Sequence, residues 1–117
     1  MTLAVDAAMP FALTGAHHLL RESVRGLAER HIAPRAADID ETEEYPEDIF
    51  ALMKDQVLLG IYLPEEYGGA GMGVLGACIA IEEIARVCSN SPLFLSVFLL
   101  ATRPVVIAGS REQKQRL

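Results

Sequence analysis

Tryptophan is absent, cysteine occurs only twice, and aromatic residues make up 6% of the chain. No disulfide framework can be built from so little. Cys78 and Cys88 lie on one predicted helix, about 15 Å apart along its axis, whereas a disulfide needs Cα atoms within about 7 Å. Both are expected to be small buried thiols in a reducing, cytoplasmic setting. Also missing is any run of Lys or Arg beyond the loose group Arg111, Lys114 and Arg116, and the net charge is -6. Nucleic-acid binding needs a clustered basic face that displaces counterions, so that class is excluded. A bilayer span needs about 20 apolar residues. The most apolar stretch is shorter than that and is divided by Ser96, Thr102 and the pair Arg103-Pro104. The segment Met1 to Leu13 has no positive charge before an apolar run and carries Asp6 and Pro10, which makes it a poor export signal. It is expected to be loosely held, leaving 14–117 as one domain.

What the chain does have is apolar surface: 51% of its 117 residues are hydrophobic and 22% are charged. Helix formers dominate and β-branched residues are scattered. The expectation is an all-α bundle of four to five helices, with some apolar surface packed against something outside the chain.

Thr14 reads as the N-cap of a first helix reaching Ile32, with Leu20, Val24, Leu27 and His31 on one stripe and Pro34 as its stop. Gly26 inside it implies close packing against a neighbour. Asp38 to Glu44 reads as a solvated loop. Pro46 opens a second helix as its first residue, Glu47 and Asp48 face the positive end of its dipole, and Gly60 stops it. Ile49, Leu52, Met53, Val57 and Leu59 form its buried face, and Ile61 to Leu63 reads as extended. Four glycines between Gly68 and Gly73 then turn the backbone into a third helix, Val74 to Val87. That helix buries Ala77, Ile81, Ile84, Ala85 and Cys88 and pairs Glu82 with Arg86. Ser91 as N-cap and Pro92 as first residue open a fourth helix to Ala108. It is apolar almost all round, reads as a central helix buried on several sides, and is kinked by Pro104. Ser110 and Gln113 have capping-box spacing, so a fifth helix begins there and is cut short at Leu117.

Several patterns imitate chemistry without supporting it. Gly71-Met72-Gly73-Val74-Leu75-Gly76 spells the dinucleotide fingerprint, but that motif needs a preceding strand and an acidic residue about 20 residues later. A glycine turn into a helix suffices. His17 and His18 point about 100° apart, a poor metal pair, and no Cys or His stands at ligand spacing. His31 reads as a core or rim histidine, and Glu82-Glu83 as ion-paired or solvated rather than acid–base catalysts. No serine has a His–acid partner pattern. The chain shows no catalytic centre of its own.

Leu63-Pro64-Glu65-Glu66-Tyr67-Gly68-Gly69-Ala70-Gly71, followed by Ala80-Ile81-Glu82-Glu83-Ile84-Ala85-Arg86, resembles the N-terminal segment of acyl-CoA dehydrogenases. Ile32-Ala33-Pro34, Glu44-Tyr45-Pro46, Ile107-Ala108-Gly109 and Glu112-Gln113-Lys114 extend the likeness over 14–117. The resemblance implies the N-terminal helical domain of an FAD-dependent enzyme that desaturates an acyl-CoA thioester. A β-domain and a C-terminal bundle would come next, holding the flavin and the catalytic glutamate. It implies an electron-transfer acceptor and a homo- or hetero-oligomer. It also implies that Pro92, Leu93, Ser96, Val97 and Leu100 line one wall of the acyl pocket. Relatives carry small or polar residues where Pro92, Leu93 and Val97 stand, so bulk here bears on acyl length. A partner subunit completing another flavoprotein, an acyl-CoA oxidase and a flavin-dependent hydroxylase are the rival readings.

Overall fold

The computed structural model describes residues 12–117, and every regular element among them is helical. Residues 1–11, for which the sequence implies a loose terminus, lie outside the described residues. Thr14 caps α1 (Gly15–Leu27), its hydroxyl accepting from the His17 N–H. His17 closes the box in return, its Nδ1 lying 3.1 Å from the Thr14 backbone nitrogen.

Pro34 does not stop this rod. Proline offers no N–H to the carbonyl four residues back, and the chain widens just before it into a π-turn, Ala28–Ile32, where the Ala33 N–H reaches the Ala28 carbonyl. The helix resumes as α2 (Ala33–Thr42). The extra residue rotates the downstream positions about the axis, so Val24, Ala28 and Ile32 make the buried stripe while His31 is exposed. Asp38 to Thr42 is therefore helix rather than loop, with Arg35 bridging Asp38 and Asp48. Gly26 faces only the Arg30 side chain of its own rod, not a close-packed neighbour.

The next helix, α3 (Glu47–Asp55), has Pro46 at its N-cap, one residue earlier than expected. It ends before Gly60, in a Schellman arrangement: the Leu58 N–H reaches the Met53 carbonyl and the Val57 N–H the Lys54 carbonyl. That motif places Val57 in the left-handed region, φ +59°, and leaves it exposed rather than on the buried face.

Ile61 to Leu63 is a buried set of turns rather than an extended run. Its carbonyls accept from residues 71 and 72: Met72 donates to Ile61 at 3.0 Å and Gly71 to Leu63 at 2.9 Å. Gly69 sits where a Cβ would strike the Leu63 carbonyl oxygen, which is why the glycine-rich sequence falls here.

Helix α4 (Gly73–Ala85) buries Ala77, Ala80 and Ile84 against α1, while Ala85 and Cys78 are exposed, against expectation. Both positions lie off the strip that α1 covers. Ser91 is buried and donates to the Cys88 sulfur at 3.1 Å instead of capping; Pro92 takes the N-cap of α5 (Leu93–Ala108). Ser110 caps the short α6 (Arg111–Gln115) through the expected box with Gln113. No helix among the described residues is long and apolar enough to cross a membrane. The whole measures 47 × 44 × 18 Å. Two helices packed with their axes about 8–10 Å apart already take up that shortest span, so the slab is two helices deep, has no third layer and cannot bury both faces of every helix.

Candidate functional site

Helix α5 shows the consequence of that thinness. Leu95 is its one fully buried residue, so the expected burial on several sides does not occur among the described residues. Five of the eleven exposed large hydrophobics among the described residues lie on it: Leu93, Val97, Phe98, Leu100 and Ile107. At 100° per residue, the spacing four, three, four, three puts Leu93, Val97, Leu100, Pro104 and Ile107 on one stripe. Leu93 and Val97 are each 57% exposed, Leu100 76% and Ile107 69%. Isolated exposed leucines are ordinary, but an aligned row of them marks a surface meant to be covered.

The opposite side of α5 is fixed. Phe94 stacks edge-on with Tyr45 and Phe50, at ring-centroid distances of 5.3 and 5.4 Å, and Phe98 lies 6.1 Å from Phe50. Farther along, the Tyr62 hydroxyl lies 3.1 Å from the Thr102 hydroxyl. Leu95 sits in the core. These anchors hold α5 so that its stripe faces outward. The Phe94–Phe98 spacing of four is the signal in the sequence for this aromatic clamp, and a helix apolar almost all round conceals it.

Of the five candidate pocket residues, Leu93, Val97 and Leu100 share the stripe. Ser96 is half-buried beside it, and its hydroxyl donates to the Pro92 carbonyl at 3.2 Å. Pro92 is buried at the helix start. Around Pro104 the stripe broadens into a trough of about 460 Å³ lined by Leu99, Leu100, Arg103, Pro104, Ile107 and Ala108. A second recess of about 480 Å³ lies across α5, between Phe50, Val57, Leu63, Tyr67, Phe98 and Thr102.

The ionic centre of the chain is elsewhere. Glu83 of α4 is 3% exposed and receives Arg25 at both oxygens, 2.9 and 3.0 Å, and Arg86 at 3.0 Å. Arg86 thus pairs with Glu83, three residues away, rather than with Glu82; Glu82 lies 3.9 Å from Arg21. The Arg25 hydrogen bonds, and then those of Arg86, hold the Glu83 carboxyl below the usual glutamate range, although burial pushes it upward. A carboxylate so engaged at both oxygens is a poor carrier of protons, and its role is to clamp α1 to α4.

Among the described residues no cluster of His, Cys, Asp or Glu could hold a metal. The run Gly71–Gly76 does not fit a dinucleotide. Gly71 and Gly73, both at φ +65°, close a turn, and the element before them is a 3₁₀ turn, Glu65–Tyr67, not a strand. The chain's own residues therefore build no dinucleotide cradle at this turn.

The slab is thus packed on one side of α5 and leaves the apolar stripe on its other side uncovered among the described residues. Residues 14–117 match the acyl-CoA dehydrogenase N-terminal domain. The chain belongs to the acyl-CoA dehydrogenase family. It is 41% identical to a probable acyl-CoA dehydrogenase of Mycobacterium leprae, over 92% of this chain and 28% of that protein. It is 40% identical to a short-chain-specific acyl-CoA dehydrogenase of Clostridium acetobutylicum, over 92% and 29%. An NADH-dependent acryloyl-CoA reductase of Anaerotignum propionicum is 36% identical over 92% and 27%. The chain thus spans under a third of the length of these relatives.

Proposed function

We propose that this chain is the N-terminal part of an FAD-dependent acyl-CoA dehydrogenase and that the outer stripe of α5 is one wall of its acyl pocket. The observation that carries this reading is the aligned exposure of Leu93, Val97 and Leu100. An alkyl chain against such a surface gains about 0.8 kcal/mol per buried CH₂. Ser96, its hydroxyl committed to Pro92, offers the tail no strong donor. Pro92 fixes where the helix starts.

Desaturation removes a proton from the carbon α to the thioester and a hydride from the β carbon, leaving a double bond. The base that takes the proton and the flavin that takes the hydride belong, on this reading, to the portion of the parent beyond these residues. That portion also covers part of the stripe, supplies contacts for an oligomer and hands electrons to an acceptor.

The test is to express the full coding sequence that contains this segment. A flavin-loaded product that reduces an electron acceptor with acyl-CoA, beside a colourless 117-residue chain, is expected. A colourless full-length protein, or flavin retained by the 117 residues alone, overturns the reading. Oxygen consumption in place of acceptor reduction assigns an oxidase instead. A product that ends at Leu117 and co-sediments with a separate flavoprotein makes it a partner subunit.

A further inference from the structure

Behind the stripe, the few aromatic residues of the chain gather at one contact. Of its four phenylalanines and three tyrosines, Phe50, Phe94, Phe98 and Tyr45 form one cluster between α3 and α5. Phe50 of α3 is the hub. Its ring centre lies 5.4 Å from that of Phe94, 6.1 Å from Phe98 and 6.2 Å from Tyr45. The Phe50 and Phe94 planes cross at 71°, the edge-to-face arrangement that rings favour. Phe50 and Phe98 also line the recess of about 480 Å³, so one flank of the cluster is open space rather than packed core. The rings are therefore the spacer that keeps the start of α5 away from α3. When a large side chain beside open space is cut back, its neighbours settle part of the way into the gap.

We infer that Phe50 is a positioning residue for the wall: through Phe94 and Phe98 it sets how far α5 stands forward, and with that the longest tail the pocket accepts. Phe94 and Phe98 are the chain neighbours of Leu93 and Val97, so a displacement of the rings carries the stripe with it. Farther along, the Thr102 hydroxyl, 3.1 Å from that of Tyr62, holds α5 and serves as the pivot. A smaller residue at position 50 lets the first turns of α5 retreat toward α3, and the pocket deepens where Leu93 and Val97 stand. Phe50 lies across α5 from the stripe and acts only through the rings it touches. The inference rests on the reading of α5 as the acyl wall and adds to it the residue that fixes its depth.

The test is steady-state kinetics of the full-length enzyme on straight-chain acyl-CoAs of increasing length, with Phe50→Leu, Phe50→Tyr and Val97→Ala. In Phe50→Leu, kcat/KM for tails beyond the parent's optimum should rise relative to the shortest tail by about fourfold, the worth of one further buried CH₂. The change should fall in KM for the long tails, with kcat for the shortest unchanged. Phe50→Tyr keeps the ring and should keep the parent's length profile. Should Phe50→Leu give no soluble enzyme, Phe98→Leu breaks the same stack from the α5 side and is read in the same way. An equal fall at every length, or an unchanged profile, overturns the role of Phe50. If Val97→Ala on the stripe still shifts the profile, the acyl-wall reading stands without it. A profile that neither Phe50→Leu nor Val97→Ala moves removes both.

Discussion

The contact between α1 and α4 and the outer side of α5 are both rich in apolar residues, yet one is finished and the other is not. Between α1 and α4, Val24, Ala28, Ala77, Ala80 and Ile84 are almost fully buried, and the one charge among them, Glu83, has both its oxygens engaged. On α5 an equally apolar sequence has a packed side, clamped by Phe94, Phe98 and Leu95, and a bare one. The difference teaches that apolar content alone does not locate a core. What separates the two is whether a second helix of the same chain lies opposite, and an 18 Å slab provides that for only some faces.

Truncation should separate them most sharply. Ile84→Ala removes a side chain with 0% exposure and should destabilise the chain by about 3 kcal/mol in a denaturant titration. Leu100→Ala on the stripe should change stability by less than about 0.5 kcal/mol. Equal losses at the two sites would mean that α5 is packed after all.

Next in size is the ionic clamp. Glu83→Ala should cost about 2 kcal/mol, the scale of hydrogen bonds to a charged group. Arg25→Ala should cost less than Glu83→Ala, because Arg86 at 3.0 Å and Arg21 at 3.6 Å still face the buried carboxylate. The same clamp sets an acid limit. The folded Glu83 carboxyl lies below its ordinary pKa of about 4.3, so its contribution is complete above that pH. It is lost as pH falls through the lower folded value. Asp48, held down by the Arg35 hydrogen bonds, acts in the same direction. Glu83→Gln should flatten the acid limb of stability against pH, and an unchanged limb would assign it to other groups.

Smaller, and of opposite sign, is Val57→Gly. A β-branched residue at φ +59° occupies a position that glycine adopts freely. The substitution should stabilise by about 1 kcal/mol, read as a higher denaturation midpoint. No gain there would show that the Val57 side chain, which lines the recess with Phe98 and Leu63, offsets its backbone strain by packing.

Most of the architecture is legible in the sequence because caps and helical spacing are local. The Thr14 cap, the Ser110–Gln113 box and the buried face of α4 around Ala77 and Ile84 are all set by neighbours a turn away. The failures share another origin. Pro34 reads as a stop because the rule for proline is local, while the π-turn that admits it takes up one residue upstream and reorients His31. Val57 violates the preference for glycine at a left-handed position, so Gly60 draws the expected helix end too far. The burial of α5 cannot be read from its composition, since a buried helix and a wall have the same residues; only the absence of a partner helix distinguishes them.

The most direct measurement is photolabelling of the full-length enzyme with an acyl-CoA bearing a diazirine at the end of its tail, followed by peptide mapping. Adducts on Leu93, Ser96, Val97 or Leu100 are predicted, suppressed by unlabelled acyl-CoA. Specific labelling confined to segments other than α5 would contradict the assignment of that helix as the acyl wall.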